Sequence, residues 1–395
     1  MSKKLMNALE DCSNEILSSV NGGKVPSGSK EDIIKRMVDV RLNKFINFNT
    51  TELDKSFISI GRDVNSLKEK QLIAKQQGSN LEEDELYELE FMDLKMNILE
   101  AAIVTRKEVR SKKGDHPVLQ KHIDYPIFSV DRPGNVTLAK LQQGNNGLLV
   151  EKRGGGYRTL LFQNERGTLL TDYDHRVFAA VCKICLDKGM PKELRVEIGD
   201  IVSELKIPNP GGGDYQNIRN SLMDIYSTSI IFQESNGQDS EEDIEYEYHR
   251  IFQKFAARGN KFASFTVLFQ DYIYEALQRG EFVNINIYLM NDLTLNIAKS
   301  LYKFILTEYS KEEKDLYEFD FTTLRNHIDI DRNNTNRARQ TIKKGFQELL
   351  EIGIIDSVED VKVGVGNWVY YVQANAVQLR YAAKSERENQ LQTII

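Results

Sequence analysis

The chain has 395 residues, of which 41% are hydrophobic and 28% charged, and a formal net charge of -7. That length allows two or three domains, and that balance excludes a disordered or fibrous chain in favour of a soluble globular one. No apolar run approaches the roughly 18 residues of a membrane span, and MSKKLMNALEDCSNEIL lacks the apolar core of an export signal.

Residues 1–30 read as a flexible N-terminus, with NGGKVPSGSK as a Gly/Ser/Pro linker. Residues 31–125 read as a mainly helical N-terminal region. EDIIKRMVDVRLNKFINF is amphipathic, with Ile33, Ile34, Met37, Val40, Leu42 and Phe45 in near-helical spacing. After Gly78-Ser79 a long helix is expected over roughly 81–110, with the stripe Leu89, Met92, Met96, Leu99 and Ile103. The stripe is too short for a coiled coil and fits packing on its own domain or self-association. RKEVRSKKGDHP then reads as a solvated basic linker or a phosphate-touching arm.

From residue 148 the pattern becomes informative. GYRTLLFQNERGTLL reads as two strands around a turn, and Thr171 as the N-cap of the helix DYDHRVFAAVCKICLDKG. Its buried stripe is Tyr173, Val177, Phe178, Val181, Ile184 and Cys185. LRVEI is a strand, GDIVSELKI a short helix and PNPGGG a turn. Asp214 caps a third helix with a core face of Ile218, Leu222, Ile225 and Tyr226. STSIIFQ and IEYEYHRIFQKF follow as a strand pair around an acidic loop.

The order then recurs. LTLNIAKSLYKFILTEYS is a helix with Leu293, Ile297, Leu301, Phe304 and Ile305 inside. YEFDF is a strand, TTLRNHI a short helix capped by Thr322, TNRARQTIKKGFQELLEIG a long helix, and IIDSV and WVYYVQ flank the turn-rich EDVKVGVGN. Helix, strand, short helix, turn, helix and hairpin in that order is the winged-helix arrangement. The expected fold class is therefore α+β: two tandem winged-helix domains, 148–280 and 281–380, after the helical region and before a tail at 381–395.

In a helix-turn-helix module the last helix enters the DNA major groove, so it must bury one face and present donors and acceptors on the other. At about 100° per residue, Ala338, Ile342, Gly345, Phe346 and Leu349 share one side. Asn336, Gln340, Lys343, Lys344 and Gln347 fall opposite, flanked by Arg337 and Arg339, with Asn334 just before. Arginine suits guanine, Asn or Gln suits adenine, and lysine suits phosphate. A solvated amphipathic helix carries a similar pattern; its place in this order favours DNA contact. The third helix of the first module turns Gln216, Asn217, Arg219 and Asn220 outward beside Asp224, and the loop GQDSEED would repel phosphate. The first module is thus expected to assist and to meet protein.

The remaining motifs do not point to catalysis, a cofactor or a metal. Cys182-Lys-Ile-Cys185 lacks a second pair for zinc and sits at core spacing on a helix. With only Cys12 besides, the cysteines point to a reducing cytoplasm. Gly154-Gly155-Gly156 and Gly211-Gly212-Gly213 are not followed by Lys-Ser or Lys-Thr, so neither is a P-loop. The histidines at 116, 122, 175, 249 and 327 are scattered, and Tyr370-Tyr371 reads as strand.

Three stretches resemble plasmid replication initiators, in particular the replication initiator protein A family and its tandem winged-helix relatives. GTLLTDYDHRVFAAVCKIC resembles the leucine–threonine segment and long helix that begin their first winged helix. FTVLFQDYIYEALQRGEFVNINIYLMNDLTLNIAKSLYKFIL resembles their junction, ending in the pattern carried here by Ala298, Leu301, Tyr302, Phe304 and Leu306. The helix from Thr335 to Leu350 resembles their origin-reading helix. The resemblance covers about residues 148–375 and departs from the family in lacking an overall basic charge. It implies a non-catalytic protein that binds direct repeats in double-stranded DNA at a plasmid or prophage origin. It further implies melting of AT-rich DNA, recruitment of host helicase and other replication proteins, and a homodimer that yields an initiating monomer. A tandem winged-helix transcription or partition regulator is the alternative, and a purely protein-binding module a third.

Overall fold

The structure, a computed structural model, describes residues 2–21, 30–110, 114–124, 127–129, 148–153, 156–163, 170–235, 244–258, 263–328 and 335–383. The chain divides into two compact units: Met1–Lys112 with Lys206–Gly211, and Lys113–Leu205 with Gly212–Ile395.

The first unit is helical. The stretch expected to be flexible over residues 1–30 instead holds a helix, α1 (Lys3–Asn21). Leu5, Leu9, Cys12 and Ile16 recur at steps of three and four along it, and all are buried. The linker at 22–29 lies outside the described residues. α2 (Lys30–Arg41) stops short of the expected amphipathic run and passes into a 3-10 turn, Leu42–Lys44. It buries Val38, and Val40 is exposed. α3 (Thr50–Gln76) is capped by Asn49, whose Oδ1 accepts the Glu52 N–H at 2.7 Å. α4 (Glu83–Arg110) packs beside it. Leu89 and Leu99 are buried with Leu94, Ile98 and Ala102, and Met92, Met96 and Ile103 line the core's edge. Arg106, expected in a solvated segment, is fully buried and donates from Nη1 to the Ile46 carbonyl at 2.8 Å.

The second unit mixes helices with small, mostly antiparallel sheets, an α+β chain. It begins with β1 (His116–Leu119), α5 (Gln120–Asp124), β2 (Phe128–Ser129), β3 (Leu148–Arg153), β4 (Gly156–Gln163) and β5 (Leu170–Thr171). A first block comprises α6 (Asp172–Asp187), β6 (Leu194–Glu197), α7 (Ile198–Glu204) and α8 (Gly212–Ser227). The strands β7 (Ser229–Ser235), β8 (Ile244–Arg250), β9 (Phe252–Arg258) and β10 (Ser264–Phe269) follow. α9 (Asp271–Arg279), β11 (Phe282–Ile285) and α10 (Ile287–Asp292) lead to the second block. That block is α11 (Asn296–Lys311), β12 (Leu316–Asp320), α12 (Phe321–His327), α13 (Thr335–Ile352), β13 (Ile355–Gly364) and β14 (Asn367–Ala374), closed by α14 (Ala376–Ala383).

The two blocks share a pairing rule. β10 lies between β6 and β9, and β14 lies between β12 and β13, all antiparallel. In each, the strand before the short helix is hydrogen-bonded to the last strand of the hairpin. The expected core stripes are buried in both, with only Tyr173 and Tyr226 half-exposed.

Several strand expectations are corrected. IEYEYHRIFQKF is not one strand. It breaks at the buried Ile251, whose carbonyl accepts the Gln270 N–H at 3.1 Å, and Phe252 enters an aromatic cluster with Phe178, Phe255 and Phe269. The hairpin of the first block is therefore β9–β10. β7 and β8 instead extend a separate four-stranded sheet with β3 and β4, and the loop GQDSEED lies outside the described residues. GYRTLLFQ pairs with β3 and β7, whereas β5 pairs in parallel with β2. EDVKVG is strand, leaving Val365 and Gly366 as the turn. α12 is capped by Asp320, which accepts from the Thr323 N–H at 2.9 Å, rather than by Thr322. α8 starts at Gly212, so Asp214 sits in its first turn. Gly114 precedes β1 at a point where any Cβ would lie 2.5 Å from the Ile285 carbonyl carbon, so the β1–β11 pairing demands glycine there.

The blocks meet at a buried ionic network. Asp172, at the start of α6, is 3% exposed and bonds Lys303 Nζ at 3.0 Å and Arg176 Nε at 3.1 Å, with Lys299 at 3.8 Å. Arg176 donates on to Asn291 at 2.9 Å, and Asn291 donates to the Leu205 carbonyl at 3.0 Å. Thr171 donates its N–H and hydroxyl to Asp174 Oδ2, which fixes the same helix start. Burial alone would raise the Asp172 carboxyl; Lys303, Arg176 and Lys299 hold it far below the usual range. Removing one partner of a buried pair leaves an uncompensated charge, so Lys303→Met should lower stability by about 3–5 kcal/mol in urea unfolding.

His122 and His175 lie in the same core, where His175 stacks on Phe128 at 4.0 Å and His122 meets the Tyr272 hydroxyl at 3.1 Å. Burial, with Lys121 adding to it, pushes His122 down to about 3, and burial with Lys303 pushes His175 well below the ordinary histidine value. Both must be neutral in the fold while their unfolded forms take up protons below about pH 6.5. Stability is therefore full above that pH and falls as pH drops towards 3, by about 2 kcal/mol from His122 alone at pH 5. Urea midpoints at pH 7 and pH 5 check this, and equal midpoints would contradict neutral burial of both rings.

Candidate nucleic-acid interface

α13 is two-faced, and its inner face sets its position. Ala338, Ile342, Gly345, Phe346 and Leu349 are buried, as their spacing predicts. A Cβ on Gly345 would lie 2.7 Å from Leu301 Cδ1, so α13 approaches α11 closely at that point. Phe346 packs on Tyr370 of β14 with ring centroids 5.3 Å apart.

The outer face divides into two groups. Asn336, Arg337, Gln340, Lys344 and Gln347 are exposed, and Gln347 donates to Glu351 at 3.1 Å. Lys344 makes no ion pair among the described residues. Arg339 and Lys343 are half-buried. Arg339 donates from Nε to Asp360 Oδ2 at 3.0 Å and also from Nη2, and its guanidinium lies 4.8 Å from the Trp368 ring centroid. Lys343 Nζ reaches Asp360 Oδ1 at 2.6 Å. Burial alone would raise the Asp360 carboxyl; the bonds from Lys343 and Arg339 hold it below the ordinary value. Asn334 lies outside the described residues.

Glu348, the first carboxylate along the outer face, is half-buried and turned towards the start of α11. Its Oε1 accepts the Thr294 N–H and hydroxyl, both at 2.6 Å, and its Oε2 accepts the Leu295 N–H at 3.0 Å. It satisfies orphan donors at the start of α11, so it does not oppose an anion at the outer face. The β13–β14 hairpin stands beside this helix and ends in Val363 and Val365, both exposed, around Gly366.

α8 presents less. Gln216 and Asn217 are exposed, Arg219 and Asn220 half-buried, and Gln216 donates to Asn220 at 2.9 Å. Asp224, expected beside them, is buried, and its carbonyl accepts the Thr228 hydroxyl at 2.7 Å. Asp360 and Trp368 escaped the sequence reading. Asp360 lay in a stretch read as turn, where the alternation of Val361, Val363 and Val365 with Asp360 and Lys362 is the strand signal.

Cys182 and Cys185 are buried on α6, where burial pushes the Cys185 thiol up to about 11 and the Cys182 thiol well above its ordinary value. Both are inert core thiols. Among the described residues one cluster has metal-ligating composition: Asp115, His116 and Glu204. His116 Nδ1 lies 2.7 Å from Asp115, its Nε2 3.5 Å from Glu204, and Lys183 Nζ 3.2 Å from Asp115. One ring nitrogen and one oxygen of each carboxylate lie within 4.8 Å of one another, and the Lys183 ammonium shares Asp115. Against burial, His116 and Lys183 hold the Asp115 carboxyl at about 2. The cluster is an ionic brace between β1, α6 and α7. No helix among the described residues is long and apolar enough to cross a membrane.

No protein-family profile and no curated protein matches this sequence. Solved structures similar to it include domains 2 and 3 of RctB, in two crystal structures. A selenomethionine derivative is 12% identical, with TM-score 0.43 over 61% of this chain and 99% of that one. The other is 12% identical, with TM-score 0.41 over 60% of this chain and 93% of that one.

The roles of Glu348 and Lys344 on α13 are separable by stability. Glu348→Ala should cost about 1 kcal/mol through loss of the α11 cap, whereas Lys344→Ala should change stability by less than about 0.5 kcal/mol. Thermal unfolding of both variants measures the difference.

Proposed function

We propose that the chain binds double-stranded DNA sequence-specifically through two tandem winged-helix modules and initiates replication at a plasmid or prophage origin without catalysing a reaction. The carrying observation is the outer face of α13: Asn336, Arg337, Gln340 and Lys344 exposed together, on a helix whose inner face is wholly apolar and whose first carboxylate is turned away. The shared pairing rule of the two blocks supports the winged-helix reading, with α8 and α13 as third helices and β9–β10 and β13–β14 as wings.

Arg337 suits bidentate contact to guanine, Asn336 and Gln340 suit adenine, and Lys344 suits phosphate. Gln216, Asn217, Arg219 and Asn220 on α8 offer one cation among amides, fitting a weaker second contact. Val363 and Val365, exposed at the hairpin end, would suit apolar contact in an adjacent groove. The origin is the expected target because residues 148–375 resemble plasmid initiators. Direct repeats, a repressor-like homodimer and host helicase are the partners that this reading implies.

Arg337→Ala or Gln340→Ala should each cost about 1–3 kcal/mol of binding and relax preference at one base position. Lys344→Ala should weaken all sequences alike and lower the salt slope by about 1. Fluorescence anisotropy on the protein's own upstream DNA measures both, and unchanged affinity in all three variants would remove α13 as the reader. Footprinting separates initiator from regulator: protection of repeats beside AT-rich DNA supports the first, and an isolated promoter operator the second.

A further inference from the structure

The face that presents cations to DNA also holds a carboxylate in their midst. Asp360 is 13% exposed, and both its oxygens are engaged, one by the Arg339 guanidinium and one by the Lys343 ammonium. Trp368 covers the guanidinium from the ring side at 4.8 Å. In geometry and charge this is the contact that a DNA phosphate makes with an arginine and a lysine. Here the anion belongs to the chain itself, on β13, across from the helix that carries both cations.

Non-specific affinity for DNA rises with the number of cations free to neutralise phosphates, because each releases counterions. Base readout depends instead on side chains facing base edges. Asp360 takes two cations from the first count and none of Asn336, Arg337 and Gln340 from the second. Resting on the DNA-binding reading above, we propose that Asp360 is a specificity-determining residue. It is an internal phosphate surrogate that withholds Arg339 and Lys343 from arbitrary DNA. The net charge of -7 acts in the same direction over longer range.

The test compares the full-length chain with Asp360→Asn, Lys343→Gln and Lys344→Gln, each measured by anisotropy against its own upstream DNA and a scrambled duplex over a salt series. Asp360→Asn should tighten scrambled DNA about tenfold near 0.1 M salt and steepen the log–log salt slope by about 1–2. The ratio of specific to scrambled affinity should fall. Lys343→Gln should change either affinity by less than about twofold, whereas Lys344→Gln should lose about tenfold on both. The proposal is overturned if Asp360→Asn binds scrambled DNA no tighter, or if Lys343→Gln loses as much as Lys344→Gln. The second comparison holds whether or not Asp360→Asn folds. Wild-type protein that binds neither duplex at any salt would end the DNA reading and this proposal with it. Wild-type binding with an unaltered Asp360→Asn ends this proposal alone.

Discussion

Asp172 is a carboxylate with almost no access to water, and the arrangement of the second unit depends on how its charge is satisfied. Three cations surround it, two of them from α11 of the second block and one from its own helix. A buried charge of this kind is tolerated only when its partners are held at hydrogen-bonding distance. The network therefore fixes the register of α6 against α11, and through Arg176 and Asn291 it reaches the end of α7. His175, beside Lys303 at 3.0 Å, is kept neutral in the same volume. The two blocks are coupled by charge as well as by apolar packing, and acid weakens that coupling.

Once α11 is fixed, α13 follows. It packs on α11 at Gly345 and is tied to it again through Glu348. An acidic chain can present a cationic helix because two carboxylates beside its outer face, Glu348 and Asp360, are bonded to partners within the chain. Glu348 caps a neighbouring helix and Asp360 closes on Arg339 and Lys343. What remains outward is a mixture of amides and few cations, a composition suited to reading base edges more than to gripping phosphate.

The features legible in the sequence were those written in local periodicity. The 3.6-residue spacing along α6, α8, α11 and α13 marks the same buried faces that the structure shows, and Thr171 marks a helix start. Long-range pairing was not legible. IEYEYHRIFQKF carries one continuous strand pattern, and only the burial of Ile251 and Phe252 reveals that it changes sheet. α1 was concealed by the glycine and serine residues that follow it, although Leu5, Leu9, Cys12 and Ile16 carry a helical period. At the candidate interface, the outward amides and Lys344 were readable from helical phase. The commitment of Arg339 and Lys343 to Asp360 was not, because it joins a helix to a strand read as a turn.

The central claim is that this acidic chain binds DNA through the outer face of α13. Fluorescence anisotropy of the purified wild-type protein, titrated on its own upstream DNA across a salt series with a scrambled duplex as control, tests it most directly. Tighter binding to the upstream DNA, with affinity falling steeply as salt rises, is the predicted result. Flat or absent binding at every salt concentration would contradict it and assign these surfaces to protein partners.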